Sequence, residues 1–157
     1  MNKLKLALDD ELSKANTISG LYSAADPLQI ATKYKTDPFI TLVCALFAYG
    51  NARAIVKFLS GLEFDILNLQ EQQISGIVKG NGWLYRFQNP TDVEQIFITI
   101  ARAKRELDLE SIIANKMQDG KIIYGINALI KSIYKLNNYR SSGYEFFWGR
   151  EFENEPK

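Results

Sequence analysis

The chain has 157 residues, of which 46% are hydrophobic and 24% charged, enough to bury the core of one globular domain. Its 19 basic and 18 acidic side chains give a net charge of +1, which excludes a strong overall field attracting nucleic acid or an anionic membrane. The absence of histidine and the single cysteine, Cys44, exclude disulfides within the chain, Cys/His nucleophile pairs and Cys/His metal clusters. We therefore expect one domain over residues 1–157, without a metal or a cofactor.

The cellular location follows from two stretches of sequence. The longest apolar run, residues 39–49, is far shorter than the ~20 residues that cross a bilayer, so we expect no membrane partner. The first residues, "MNKLKLALDDELSKAN", become acidic early and lack a cleavage site after an apolar core. The sequence therefore predicts a cytoplasmic protein.

Apolar residues recur with a period near 3.6 along the whole chain, and strand-like alternation is missing, which predicts an all-α fold. Leu4, Leu8 and Leu12 form the first amphipathic stripe. Two Asp-Pro pairs, Asp26-Pro27 and Asp37-Pro38, are typical of helix starts, because aspartate accepts free N–H groups and proline fits the first helical position.

The helix from residue 38 to residue 49, "PFITLVCALFAY", is apolar on every side. This pattern predicts a buried central helix around which the others form an orthogonal bundle. Gly50 suits a left-handed residue just past its end, and Asn51 can cap the next helix, "ARAIVKFLSGL". These structural roles account for "YGN" without any function.

Further helices are predicted downstream. Thr91 and Glu94 have the spacing of a capping box and predict the start of a helix. The buried stripe of this helix comprises Val93, Ile96, Phe97, Ile100 and Leu107. The helix "KIIYGINALIKSIYKLN" carries an apolar face formed by Ile122, Ile126, Leu129, Ile130 and Ile133. The segment 139–157 carries many aromatic side chains without helical spacing, so we expect it to pack on the core or on a partner.

Two stretches, "DPLQIATKYKTDPFITLVCALFAYGNARAIVKFLSGL" and "GWLYRFQNPTDVEQIF", resemble an uncharacterised bacterial family that is similar to helix-hairpin-helix DNA glycosylases. The resemblance implies the helical part of the glycosylase fold. In glycosylases the buried helix ends at the DNA-facing surface, often on a glutamine that fills the gap left by an extruded base. Gly50 stands at that place, between Tyr49 and Asn51.

The resemblance also implies a longer architecture of which residues 1–157 form the N-terminal part. The Gly-rich hairpin and catalytic aspartate of the glycosylases have no counterpart in this sequence. We therefore assign no catalytic residue and expect no self-contained catalysis.

Three runs carry basic side chains and no acid: residues 38–62, 72–91 and 121–144. If they converge, they form a surface whose affinity for nucleic acid depends steeply on salt. The alternative is that these cations lie on ordinary solvated helix faces. The candidate nucleic-acid-binding residues are Tyr49, Asn51, Arg53, Lys57, Arg86, Lys131, Lys135 and Arg140.

Arg86 lies between two aromatic residues, Tyr85 and Phe87. An arginine in this position can stack while its guanidinium binds a phosphate or a carboxylate. Alternatively, both aromatic rings fill the core, and Arg86 pairs with a carboxylate or caps helix carbonyls.

Two functions of different classes remain. The first is a glycosylase-like domain that binds DNA or RNA without catalysis. The second is a helical interaction module, whose aromatic C-terminal segment completes the core of a partner, either a missing C-terminal half or a second copy in a homo-oligomer.

Overall fold

The computed structural model describes residues 3–15, 17, 19–20, 25–117 and 120–152. Over these ranges the chain forms helices and turns, with one isolated bridge between Tyr85 and Gln88 and no β-strand, so the all-α prediction is confirmed. In the same ranges, the helices are all too short or too polar to span a membrane. The chain divides into two compact units, unit 1 (residues 1–62) and unit 2 (residues 63–157). The single domain stays a prediction.

Unit 1 contains four α-helices and one 3₁₀ turn among its described residues. They are α1 (Lys3–Ala15), α2 (Leu28–Ala31), the 3₁₀ turn Thr32–Tyr34, α3 (Pro38–Leu46) and α4 (Ala52–Ser60). Helix α2 packs against both α3 and α4. The predicted cap of α3 is confirmed, because the Asp37 carboxylate accepts the N–H groups of Phe39 at 2.9 Å and Ile40 at 3.2 Å.

Helix α3 differs from its prediction in length and in burial. It ends at Leu46 rather than at residue 49. It buries Phe39 and Val43 along one face, whereas Thr41 and Ala45 are exposed. The helix is therefore buried along one face rather than on every side. The free-energy cost of this exposure is small, because the small side chains on the outer face expose little apolar area to water.

Cys44 provides a probe of unit 1. Its side chain is 2% exposed, and burial raises the pKa of its thiol to about 11. We expect Ellman's reagent at neutral pH to label folded Cys44 at least ~100-fold more slowly than a free thiol, because labelling requires opening of the unit. Because the folded pKa is raised, stability should fall as pH rises from the unfolded pKa towards about 11. Labelling of the native protein as fast as in denaturant would contradict this burial.

Unit 2 is built around one long helix. Its elements are the 3₁₀ turn Phe64–Asn68, α5 (Glu71–Gly80), α6 (Pro90–Glu106), α7 (Leu109–Lys116), α8 (Ile122–Leu136) and α9 (Ser142–Trp148). The 3₁₀ turn Phe64–Asn68, α5, α8 and α9 all pack on α6, and α7 packs on α8. The apolar face of α6 is fully buried at Val93, Ile96, Phe97 and Ile100.

The predicted capping box of α6 is wrong. The cap lies two residues earlier, where Asn89 accepts the N–H of Asp92 at 2.9 Å and Asp92 accepts the N–H of Asn89 at 3.0 Å. Pro90 occupies the first helical position. Glu94 serves another purpose, because its carboxylate accepts the Ser75 hydroxyl at 2.5 Å and lies 3.3 Å from the Lys79 ammonium.

The predicted apolar face of α8 is buried only towards its C-terminal end. Ile133 is fully buried, but Ile122 is 55% exposed and Ile126 is 38% exposed. The first turns of α8 instead approach α7 through Gly125, where an added Cβ would lie 2.9 Å from the Ile113 Cα. The first turns of α8 therefore pack on α7 through Gly125 rather than through Ile122 and Ile126.

The C-terminal segment also differs from its prediction, because it contains the helix α9. Ser141 caps this helix by accepting the N–H of Tyr144 at 3.0 Å. Tyr144, Phe147 and Trp148 are buried at helical spacing, so the assignment of no helical pattern was wrong. The Tyr144 hydroxyl lies 2.8 Å from the Thr99 hydroxyl on α6, so the segment packs on the core of its own unit. Residues 153–157 of this segment lie outside the described ranges.

Candidate nucleic-acid interface

The sharp turn between α3 and α4, with the first turns of α4, forms the α3–α4 corner (residues 47–57). Phe47 anchors it, since its ring is fully buried and lies 5.0 Å from the Phe58 ring, centroid to centroid. Gly50 has a φ of 113°, which favours glycine. The Asn51 side-chain oxygen accepts the N–H groups of Arg53 at 3.0 Å and Ala54 at 3.2 Å, so its predicted capping role is confirmed.

The corner presents polar and cationic groups to solvent. Asn51, Arg53 and Lys57 are exposed, Tyr49 is half-buried, and Ile55 is buried on the opposite face of α4. Arg53 and Lys57 are four residues apart, so they lie one helical turn apart on the same face. Asn51 uses its side-chain oxygen for the cap, which leaves its amide NH₂ as the group that could donate to a phosphate or a base.

Arg86 occupies a strained turn in unit 2. Its φ is 56°, and within the described ranges it is the one non-glycine residue with a positive φ. This conformation costs about 1–2 kcal/mol for an L-residue. The turn is closed by the Gln88 N–H, which donates to the Tyr85 carbonyl at 2.9 Å.

The two aromatic neighbours of Arg86 have different environments. Tyr85 is 5% exposed and belongs to the core, whereas Phe87 is 59% exposed. The alternative that both rings fill the core is therefore correct for Tyr85 and wrong for Phe87. The Phe87 ring meets the Phe146 ring edge to face, with centroids 5.0 Å apart. We refer to Phe87 and Phe146 as the aromatic pair.

The remaining basic candidates in unit 2 lie on α8 or shortly after it. Lys131 and Lys135 are exposed and lie one turn apart on this helix. Arg140 has a structural task, because its guanidinium donates to the carbonyls of Asn137 at 2.8 Å and Tyr139 at 2.7 Å. It also lies 4.7 Å from the centroid of the Tyr134 ring. Arg140 therefore stabilises the segment that follows α8.

The structure groups the predicted residues by unit. The α3–α4 corner unites four of them in unit 1: Tyr49, Asn51, Arg53 and Lys57. The other four belong to unit 2, where two share a face of α8. Sequence reasoning expected exposed apolar surface around residues 146–152 but did not single out Phe146, which is 51% exposed. Helical spacing counted from Ser141 could have found it, because it places Phe146 away from the buried face of α9.

The described residues contain no cluster of three or more cysteine, aspartate and glutamate side chains that could hold a metal ion. Residues 26–156, most of the chain, match the family described as "Protein of unknown function (DUF2400)". The chain belongs to this family. The DUF2400 match includes all eight candidate residues, whereas α1 precedes it. Comparisons with curated proteins and with solved structures find no significant match.

Proposed function

We propose that this DUF2400 protein binds nucleic acid through the α3–α4 corner. The observation that carries the proposal is the pair of exposed cations, Arg53 and Lys57, on one face of α4. They lie within residues 38–62, which contain no acidic side chain to oppose a phosphate. The resemblance to glycosylases supports the same surface, since their buried helix ends towards DNA.

The chemistry of the α3–α4 corner suits contacts with the phosphate backbone of a nucleic acid more than recognition of its base sequence. Each cation that meets a phosphate releases condensed counterions, and this term supplies most of the affinity of non-specific complexes. The Tyr49 ring and the Asn51 amide can add contacts to a sugar or a base. We propose binding without catalysis for this chain, and duplex DNA is the first ligand to test.

Charge-removing substitutions test this proposal. We expect R53Q and K57Q each to weaken binding of a fluorescent duplex of about 20 base pairs by about 3- to 10-fold in about 50 mM salt, because each removes one phosphate contact. Fluorescence anisotropy measures the change.

K14Q is the matched control for these two variants. It removes the same charge, but Lys14 already lies 2.6 Å from the Asp10 carboxylate and 3.2 Å from the Glu11 carboxylate. We expect it to bind DNA like the unaltered protein. Absence of binding by the unaltered protein, or an equal loss in K14Q, would refute the proposal.

The aromatic pair favours a second candidate function, protein–protein interaction. Phe87 is 59% exposed and Phe146 is 51% exposed, and Leu84, on the same loop, is 59% exposed. Clustered exposed aromatic side chains are enriched where proteins meet. This supports an interaction module, although the aromatic segment mostly completes the core of its own unit.

Sedimentation velocity tests the second candidate with a second copy as the partner. We expect F87S and F146S to reduce concentration-dependent association through this surface, because each removes apolar area from the contact. I122S is the control, since Ile122 is similarly exposed, at 55%, but lies on α8. Equal association of all four proteins would count against the aromatic pair.

A further inference from the structure

We propose that α1 is a self-pairing helix, which docks antiparallel against α1 of a second copy of this chain. Every residue from Lys3 to Lys14 is exposed. Leu4, Leu8 and Leu12 share a stripe and are 64%, 60% and 63% exposed. A helix of this length is marginal in water without tertiary contacts. The exposed stripe therefore offers apolar area to a partner, and this inference concerns a segment outside the DUF2400 match.

The order of charges along α1 selects the partner. The first turns carry Lys3 and Lys5 and no acid, and the acidic Asp9, Asp10 and Glu11 follow towards the C-terminal end. The basic first turns oppose the dipole of the helix, which favours acids at the start, whereas Lys14 in the last turn agrees with the dipole and pairs with Asp10 and Glu11. An antiparallel copy corrects the mismatch, because the basic half of each helix lies beside the acidic half of the other.

The register follows from the stripe. With a two-fold axis at Leu8, the two copies of Leu8 meet, and Leu4 meets Leu12 of the second copy. At about 100° per residue, Lys5 and Asp9 lie on the same flank of the stripe, about 40° apart. Lys5 then approaches Asp9 of the second copy, twice by symmetry. A parallel pair would instead place like charges opposite each other.

Unit 1 also contains an apolar cleft, but its lining does not match α1. Among the described residues that line it, Asp26 is the one charged group. The others are Pro27, Leu28, Ala31, Thr41, Cys44, Ala45 and Ala48. The cleft offers no row of charges for the basic and acidic halves of α1. A second α1 supplies both halves in the required order.

The pairing should be weak, because two helices of this length bury less than the about 1,200 Å² of a standard interface. Disulfide trapping detects such an association. We expect L8C to form a covalent dimer in oxidised glutathione about tenfold faster than L6C, whose position lies on the opposite face of α1. Both leucines are exposed, so neither variant should disturb folding. Cys44 is buried and does not compete. Equal rates, or no dimer, would overturn the proposal.

Charge reversal tests the antiparallel direction in the L8C background. We expect K5E and D9K each to slow trapping by about three- to tenfold, since each places like charges beside one another. An equimolar mixture of the two should restore the rate through the mixed dimer. There the carboxylate introduced by K5E meets the ammonium introduced by D9K, and the remaining Lys5 meets the remaining Asp9. A parallel pair would leave K5E unchanged. An unchanged K5E rate, or a mixture no faster than its components, would overturn the inference.

Discussion

Replacing Gly125 by alanine is expected to destabilise unit 2 by about 2 kcal/mol, although the same change in an open helix stabilises it by up to about 1 kcal/mol. The reversal follows from the close approach of α7 and α8, where the new Cβ would lie 2.9 Å from both the Ile113 Cα and its Cγ2. A main-chain atom cannot move aside as a flexible side chain would. Urea unfolding followed by tryptophan fluorescence measures the effect, because Trp83 and Trp148, the two tryptophans of the chain, both belong to unit 2.

G76A is the matched control for this prediction. Gly76 lies in α5 of the same unit, and an added Cβ there meets nothing within 4 Å. We expect this variant to be more stable by up to about 1 kcal/mol, since alanine is the better helix former. Stabilisation by both substitutions would show that α7 and α8 are not in the close contact described.

Asp92 is the second position at which a large loss of stability is expected. Its carboxylate is 2% exposed and accepts hydrogen bonds from the Tyr139 hydroxyl at 2.9 Å, from the Ser141 hydroxyl and from the Asn89 N–H. We expect D92A to lower the free energy of unfolding by about 3 kcal/mol, because it leaves these donors without their acceptor and removes half of the capping box. The same urea titration measures this change.

The region that loses local stability in D92A provides a further check on the role of Asp92. Tyr139 and Ser141 precede α9, so amide hydrogen exchange should accelerate in α9 more than in α5. D108A is the control, because Asp108 caps α7 through Ser111 at an exposed position. We expect D108A to lower the free energy of unfolding by less than D92A does. An equal loss in both variants would contradict the special role of the buried carboxylate.

Features set by neighbouring residues were predictable from the sequence. The cap of α3 by Asp37, the positive φ of Gly50 and the cap of α4 by Asn51 each depend on a few consecutive residues. The part of the α3–α4 corner from Gly50 onwards could therefore be predicted, whereas the end of α3 at Leu46, which leaves residues 47–49 outside the helix, could not.

Features set by tertiary contacts were not predictable. Thr91–Glu94 and Asn89–Asp92 are both plausible capping boxes, and the choice depends on Glu94 binding Ser75 and Lys79 of α5. The exposure of Ile122 likewise depends on the way Gly125 admits the backbone of α7. A helical period identifies an apolar face, but it does not show which part of that face a neighbour covers.

The salt dependence of DNA binding tests the central claim, that Arg53 and Lys57 contact phosphates, most directly. The logarithm of the binding constant should fall linearly with the logarithm of the salt concentration. We predict that the R53Q/K57Q double variant has a slope smaller in magnitude by about 2 than the unaltered protein, since two phosphate contacts are lost. Equal slopes would contradict the proposed interface, even if the double variant bound more weakly.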